Sequence, residues 1–183
     1  MKKTLAVLMC ILMAACCAFA AAETASKDDY TVVSVNGAFN IRGVTPEGYT
    51  LTDIQNYDSF IWASFYADDA AKPHFDLVIS YTEDYAGVER LNDLSEDEMM
   101  ELVDDDPTMS DEVQIMETGF GTKVLILRSN NLQDDYVCFV TIYKGYEVAL
   151  NLFPGMDSTE PLTDEQISRA MQFLTDLDFV PVD

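Results

Sequence analysis

Apolar and polar residues alternate with a period of two along several short stretches of the chain, which is typical of half-buried β-strands. Residues 30–35 and 75–82 alternate in this way, and residues 38–42 form a shorter candidate strand. One side of the second stretch carries Phe75, Leu77, Ile79 and Tyr81. Residues 59–67 are apolar on both sides. That pattern predicts a central strand covered on two faces.

The C-terminal half predicts an antiparallel meander. Four stretches have strand character: residues 112–118, 122–129, 136–143 and 146–153. Gly119-Phe120-Gly121 between the first two is a three-residue hairpin signal, and Lys144-Gly145 between the last two is a two-residue signal. Residues 130–135 supply the remaining turn, so four strands are expected to be sequential neighbours.

Helices are predicted at fewer places. Thr163-Asp164-Glu165-Gln166 is a capping box, in which the threonine begins the helix and the glutamine reaches back to it. The apolar stripe that follows at helical spacing consists of Ile167, Ala170, Met171, Leu174 and Leu177. Ser95 begins a shorter helix that stops before Pro107. Residues 84–94 are predicted to be helical as well. Strands with few helices predict an α+β fold with a mostly antiparallel sheet.

The first 22 residues have the pattern of a bacterial secretory signal. Met1-Lys2-Lys3 gives a positive start, residues 4–19 are uncharged, and small residues follow. Cleavage after Ala20 and cleavage after Ala22 both fit. The alternative is a lipoprotein anchored at Cys16, although Met13 stands where leucine is expected. We predict a protein that is secreted or held in the cell envelope.

Beyond this leader, the sequence predicts one domain. Residues 23–29 are small and polar and are predicted to be a disordered lead-in, and no linker divides residues 30–183. Three of the four cysteines lie in the leader and only Cys138 follows it, so no intrachain disulfide is expected in the mature chain. We expect a monomer that is stabilised by its hydrophobic core.

The formal charge of −23 on 183 residues excludes whole classes of partner. Nucleic acid is excluded because its phosphates would be repelled. Direct docking on an anionic membrane is disfavoured for the same reason, unless a lipid anchor holds the protein there. A cationic partner, or one bridged by a divalent metal ion, is favoured.

The residue types needed for common enzyme mechanisms are sparse. His74 is the single histidine and lies at the start of a predicted strand, where a structural role is expected. Cys138 lies in an apolar strand near Asp134 and Asp135, whose charge would oppose a thiolate. Serine-nucleophile motifs and phosphate-binding loops are absent from the sequence. We therefore expect no enzymatic activity and no organic cofactor.

Carboxylates are the one abundant chemical resource. Five acids crowd around Pro107, and their hard oxygen ligands would suit calcium: Asp104, Asp105, Asp106, Asp111 and Glu112. Their spacing lacks the glycine and distal glutamate of a calcium loop, so a solvated acidic loop is the default interpretation. Calcium binding remains the alternative. A hydrolase with paired carboxylates is less favoured, because 33 acids do not single out a pair.

Aromatic residues form the last candidate site. Phe60, Trp62 and Tyr66 share one face of a predicted strand, and Tyr57 lies just upstream. Such a stripe is usually part of the core beneath a helix. If it is exposed, it marks a binding patch.

Two ends of the chain resemble PsbP-like domains. The start resembles them in Phe39-Asn40-Ile41 and Pro46-Glu47-Gly48-Tyr49. The end resembles them in Lys144-Gly145-Tyr146, Leu162-Thr163-Asp164-Glu165 and Leu177-Asp178-Phe179. The resemblance implies a non-catalytic α/β/α sandwich, with a central, mostly antiparallel sheet, that binds a protein or envelope component. It matches no functional motif, so no residue role is carried over.

Overall fold

A computed structural model describes residues 29–102, 112–117, 122–128 and 136–182. The predicted leader, its cleavage sites and Cys16 lie outside these ranges. Two α-helices are described, α1 (Glu96–Glu101) and α2 (Asp164–Thr175). The strands in the same ranges are β1 (Asp29–Val33), β2 (Phe39–Val44), β3 (Tyr49–Asn56), β4 (Phe60–Ala67), β5 (His74–Tyr81), β6 (Glu112–Glu117), β7 (Lys123–Arg128), β8 (Val137–Tyr143), β9 (Tyr146–Phe153) and β10 (Asp178–Pro181).

The strands form two sheets, and every pairing in them is antiparallel. The small sheet has the order β1-β2-β10, and the large sheet has the order β3-β4-β5-β9-β8-β7-β6. The mostly antiparallel character and the small helical content predicted from the sequence are confirmed. The predicted meander is confirmed as well, because β6, β7, β8 and β9 are successive neighbours.

One face of the large sheet, called the small-sheet face, packs against the small sheet and α2. Phe39 and Ile41 of β2 are fully buried there against the large sheet. Phe173 of α2 contacts the rings of Phe65 and Phe75, with centroids 5.3 and 4.6 Å apart. This layer contains the larger of the two hydrophobic clusters, so most of the burial that stabilises the fold lies on this face.

The other face of the large sheet, called the opposite face, is covered by residues 82–102. Tyr85, Leu91 and Met99 of this segment are buried against β7, β8 and β9. The β3–β4 side of the same face keeps half-buried and exposed side chains. The opposite face is thus covered at one end and accessible at the other.

Local sequence signals place both helices where they were expected. Thr163 Oγ1 accepts a hydrogen bond from the backbone N–H of Gln166 at the start of α2. Ser95 makes the same bond with the Glu98 amide at the start of α1. These bonds satisfy amides that have no partner inside the helix.

Two predictions about elements are wrong, and two strands were not predicted. Residues 84–94 are not an α-helix: they hold two 3₁₀ turns, Glu83–Tyr85 and Leu91–Asp93, separated by Gly87 at φ +88°. Strand β4 is second from an edge rather than central, and only its small-sheet face is fully buried. Strands β3 and β10 were not predicted, because the first is largely polar and the second is only four residues long.

No helix in the described ranges combines the length and apolar character needed to cross a membrane.

Candidate functional site

The aromatic residues of β4 lie on the opposite face, away from α2. Phe60, Trp62 and Tyr66 are all half-buried there. The Tyr57 ring, 40% exposed, stacks on Phe60 with centroids 4.3 Å apart. The four residues predicted as a binding patch therefore share one partly accessible surface.

A continuous aromatic row crosses one end of this surface. It consists of Tyr66 on β4, His74 on β5, Phe153 on β9, and Tyr136 just before β8. The His74 ring stacks between Tyr66 and Phe153, with centroids 5.1 Å from each and interplanar angles of 9° and 18°. Phe153 contacts Tyr136 at 5.8 Å. The stacking holds His74 in a fixed orientation.

A row of polar and small side chains runs beside the aromatic row. The strand register aligns Asp53, Ser64, Asp76, Asn151 and Cys138 across five adjacent strands. We call these residues the polar row. Its outer member Asp53 is exposed and Ser64 is half-buried, whereas Asp76, Asn151 and Cys138 are at most 6% exposed. The polar row is thus accessible from the β3 edge and closed towards β8.

Asp76 is the charged residue at the inner part of this row. Burial raises the pKa of its carboxyl group, and hydrogen bonding from the Ser64 and Trp62 side chains lowers the pKa in part. In the described part of the chain, the buried Oδ1 atom has no hydrogen-bond partner. A buried carboxylate oxygen without a partner is costly, so this atom marks a place where a donor is missing.

His74 supplies a second polar atom without a partner. Burial lowers the pKa of the imidazole, while Asp76 and a hydrogen bond to the Pro154 backbone oppose that shift. Proline has no N–H, so the Pro154 carbonyl accepts this bond from the ring. Within the described ranges the buried Nδ1 has no partner, which assigns the donor to Nε2 and leaves Nδ1 as an acceptor. Asp76 and His74 stand two residues apart on the same face of β5.

A second buried acid lies further along the opposite face. Glu147 of β9 is 2% exposed, and burial raises the pKa of its carboxyl group to about 7. The Tyr85 hydroxyl donates a hydrogen bond of 3.2 Å to Glu147 Oε2. Burial and the neighbouring carboxylate raise the pKa of Tyr85, so this tyrosine remains a donor.

Sequence reasoning missed Asp76, Asn151 and Glu147. Each is a polar residue inside an otherwise apolar strand, as in Phe75-Asp76-Leu77, and that interruption was the available signal. His74 was expected to be structural, and its stacked ring agrees with that role. Cys138 is 1% exposed within the core.

The predicted calcium site cannot be placed. Asp104, Asp105, Asp106 and Asp111 lie outside the described residues, and for Glu112 only its backbone, at the start of β6, is described. In the rest of the chain that the structure describes, no group of three His, Cys, Asp or Glu side chains could hold a metal ion. Calcium binding at the acidic loop stays a prediction.

A separate cavity lies on the small-sheet face. It has a volume of about 290 Å³ and is lined by Thr122, Val124, Thr141, Leu174, Thr175, Leu177, Asp178 and Phe179. The Thr141 and Thr175 hydroxyls already donate to backbone carbonyls. This cavity therefore offers a weaker case for a specific ligand than the polar row does.

Comparisons with protein families and with curated proteins give no match for this sequence. Among solved structures, the chain is similar to the solution structure of cyanobacterial PsbP (CyanoP) from Synechocystis sp. PCC 6803. The TM-score is 0.48 at 13% sequence identity, and the similarity covers 87% of this chain and 97% of that chain. It assigns no residue of this chain a role.

Proposed function

We propose that this protein is an exported, non-enzymatic domain that binds a protein or envelope component through the opposite face of its large sheet. The observation that carries the proposal is the aromatic surface of β4, which lies beside the buried acid Asp76 and is only half-buried at the margin of the cluster formed with residues 82–102. Half-buried aromatic side chains combine large contact area with few rotatable bonds, which suits them to binding.

The cellular setting is part of the same proposal. The leader directs the chain to the envelope or the medium, with anchoring at Cys16 as the alternative. The mature protein acts as a monomer. Its layers form an α/β/α sandwich, in which α2 lies over one face of the large sheet and α1 over the other.

Capture from an envelope extract tests the proposal, with Trp62→Ala compared against the wild-type protein. Loss of the central aromatic ring is expected to reduce recovery of the bound component at least tenfold, because aromatic anchors carry much of the energy of an interface. Val44→Ala is the matched control, since Val44 is an exposed apolar residue on the small sheet. Melting curves of both variants confirm that they fold.

Salt and calcium arms refine the experiment. Recovery should fall at high salt, because a charge of −23 attracts a cationic partner that salt screens. Recovery that requires calcium, and is lost with a chelator, would favour the calcium alternative instead. Equal recovery by wild-type and Trp62→Ala protein would contradict the assignment of the binding surface.

A further inference from the structure

We propose that the polar row receives an arginine side chain of the partner protein, with its guanidinium group beside Trp62 and against Asp76. This inference rests on the proposed function and names the chemistry that the binding surface recognises. It begins from two buried acceptors, Asp76 Oδ1 and His74 Nδ1, that have no partner in the described ranges.

The shape of the surface favours a long, narrow guest. Ser64 lies between Trp62 and Tyr66 along β4 and is directly opposite Asp76 on β5. Alternate residues of a strand are about 6.6 Å apart, so Trp62 and Tyr66 are separated by roughly 13 Å along β4, with the small Ser64 side chain between them. A side chain that enters from the β3 edge passes Asp53 and Ser64 before it meets Asp76.

The chemistry favours a guanidinium group over other cations. Two acceptors need at least two donors, and a guanidinium group carries five in one plane. One of its flat faces can also stack on Trp62. An ammonium group would match the negative charge of Asp76, but it has no flat face that could stack on an aromatic ring. A metal ion lacks the ligands, since no set of three His, Cys, Asp or Glu is assembled among the described residues.

The charge of the surroundings favours a cation at this site. Asp53 lies at the open end of the row, and the Gln55 amide donates a hydrogen bond of 2.7 Å to it. The Tyr57 hydroxyl in turn donates to Gln55, so the rim acid is held in place by its neighbours. A bound cation would also offset the burial that raises the pKa of Asp76.

Trp62 is the single tryptophan of the chain, so its fluorescence reports on this site alone. The test titrates the full mature protein at pH 8 with the capped tripeptide Gly-Arg-Gly and with its citrulline counterpart, which has the same shape without the charge. The arginine peptide is expected to change the fluorescence saturably and the citrulline peptide to bind at least tenfold more weakly. The lysine counterpart should bind several-fold more weakly than arginine.

Two variants distinguish arginine binding at this site from a general attraction to the negatively charged protein. Asp76→Asn should weaken arginine binding at least tenfold, whereas Asp178→Asn should change it less than twofold, because Asp178 is exposed on the small sheet. If Asp76→Asn does not fold, His74→Phe keeps the stacked ring but removes Nδ1, and it should weaken binding several-fold.

Four results would overturn the inference: no saturable change, equal binding of citrulline, equal binding of lysine, or equal losses in Asp76→Asn and Asp178→Asn. If any of these occurs while capture from the extract still depends on Trp62, the binding surface stands and only the chemistry of its guest is wrong.

Discussion

At the residue scale, the unusual feature is the number of acids buried in the apolar strands. Asp76 and Glu147 both lie on the opposite face and are 6% and 2% exposed. Burial raises the pKa of both carboxyl groups, because the charged form loses its hydration. Groups of this kind lower stability at neutral pH, so their presence needs a reason other than folding.

Glu147→Gln tests directly how much the buried carboxyl group lowers the stability of the folded protein at neutral pH. The pKa of Glu147 is about 7 in the folded protein, above the usual value of 4.5, so the folded state keeps a proton that the unfolded state loses between these values. Stability of the wild-type protein therefore falls as pH rises through this window, by an amount on the order of 3 kcal/mol. The glutamine variant keeps an acceptor for Tyr85 and should be more stable at pH 8. Urea unfolding at pH 4.5 and pH 8 measures the difference.

Glu98→Gln is the control for this prediction. A hydrogen bond from the Ser95 backbone lowers the pKa of Glu98, and its carboxylate is exposed at the start of α1. Its charge contributes stability above its ordinary pKa, which is lost on acidification. Neutralising Glu98 should therefore reduce stability at pH 8. A Glu147→Gln variant without any gain at pH 8 would contradict the account of its burial.

At the element scale, the β8–β9 hairpin holds residues 82–102 on the opposite face. Lys144 and Gly145 both have positive φ, 52° and 79°, which gives the two-residue turn that the sequence predicts. The amides of Lys144 and Gly145 donate to the carbonyls of Glu89 and Val88, each at 2.7 Å. The turn is therefore joined to the segment that covers part of the opposite face.

Gly145→Ala should weaken this connection. A Cβ atom at Gly145 would lie 3.2 Å from the Tyr85 carbonyl oxygen, in a backbone conformation that alanine rarely adopts. We expect a loss of about 1–3 kcal/mol in thermal or urea unfolding. Gly87→Ala is the matched control, because Gly87 also has positive φ but a Cβ atom there meets nothing within 4 Å. Equal losses in the two variants would show that the contact with Tyr85 is unimportant.

The sequence predicts elements well where they carry their own signals and poorly where they depend on partners. The hairpin at Lys144-Gly145 and the cap at Thr163 are local, so both were predictable. Strand β3 is mostly exposed and is specified by its pairing with β4. The polar row draws its five residues from five strands, and it becomes visible only when the register is known.

At the scale of the whole molecule, the two faces of the large sheet have different roles. The small-sheet face contains most of the buried hydrophobic side chains, whereas the opposite face contains the buried acids and the half-buried aromatic residues. The proposed arginine site lies at the margin of the part of the opposite face that residues 82–102 cover. The net charge of −23 surrounds this site with a negative potential that would speed encounter with a basic partner.

Quenching of Trp62 fluorescence by caesium and by iodide tests the central claim most directly, because these ions probe both access and charge at the single tryptophan. The account predicts that caesium quenches Trp62 more strongly than iodide at pH 8, and that Asp76→Asn reduces this preference while Asp178→Asn leaves it nearly unchanged. Fluorescence that neither ion quenches, or a preference for iodide, would contradict an accessible acidic site beside Trp62.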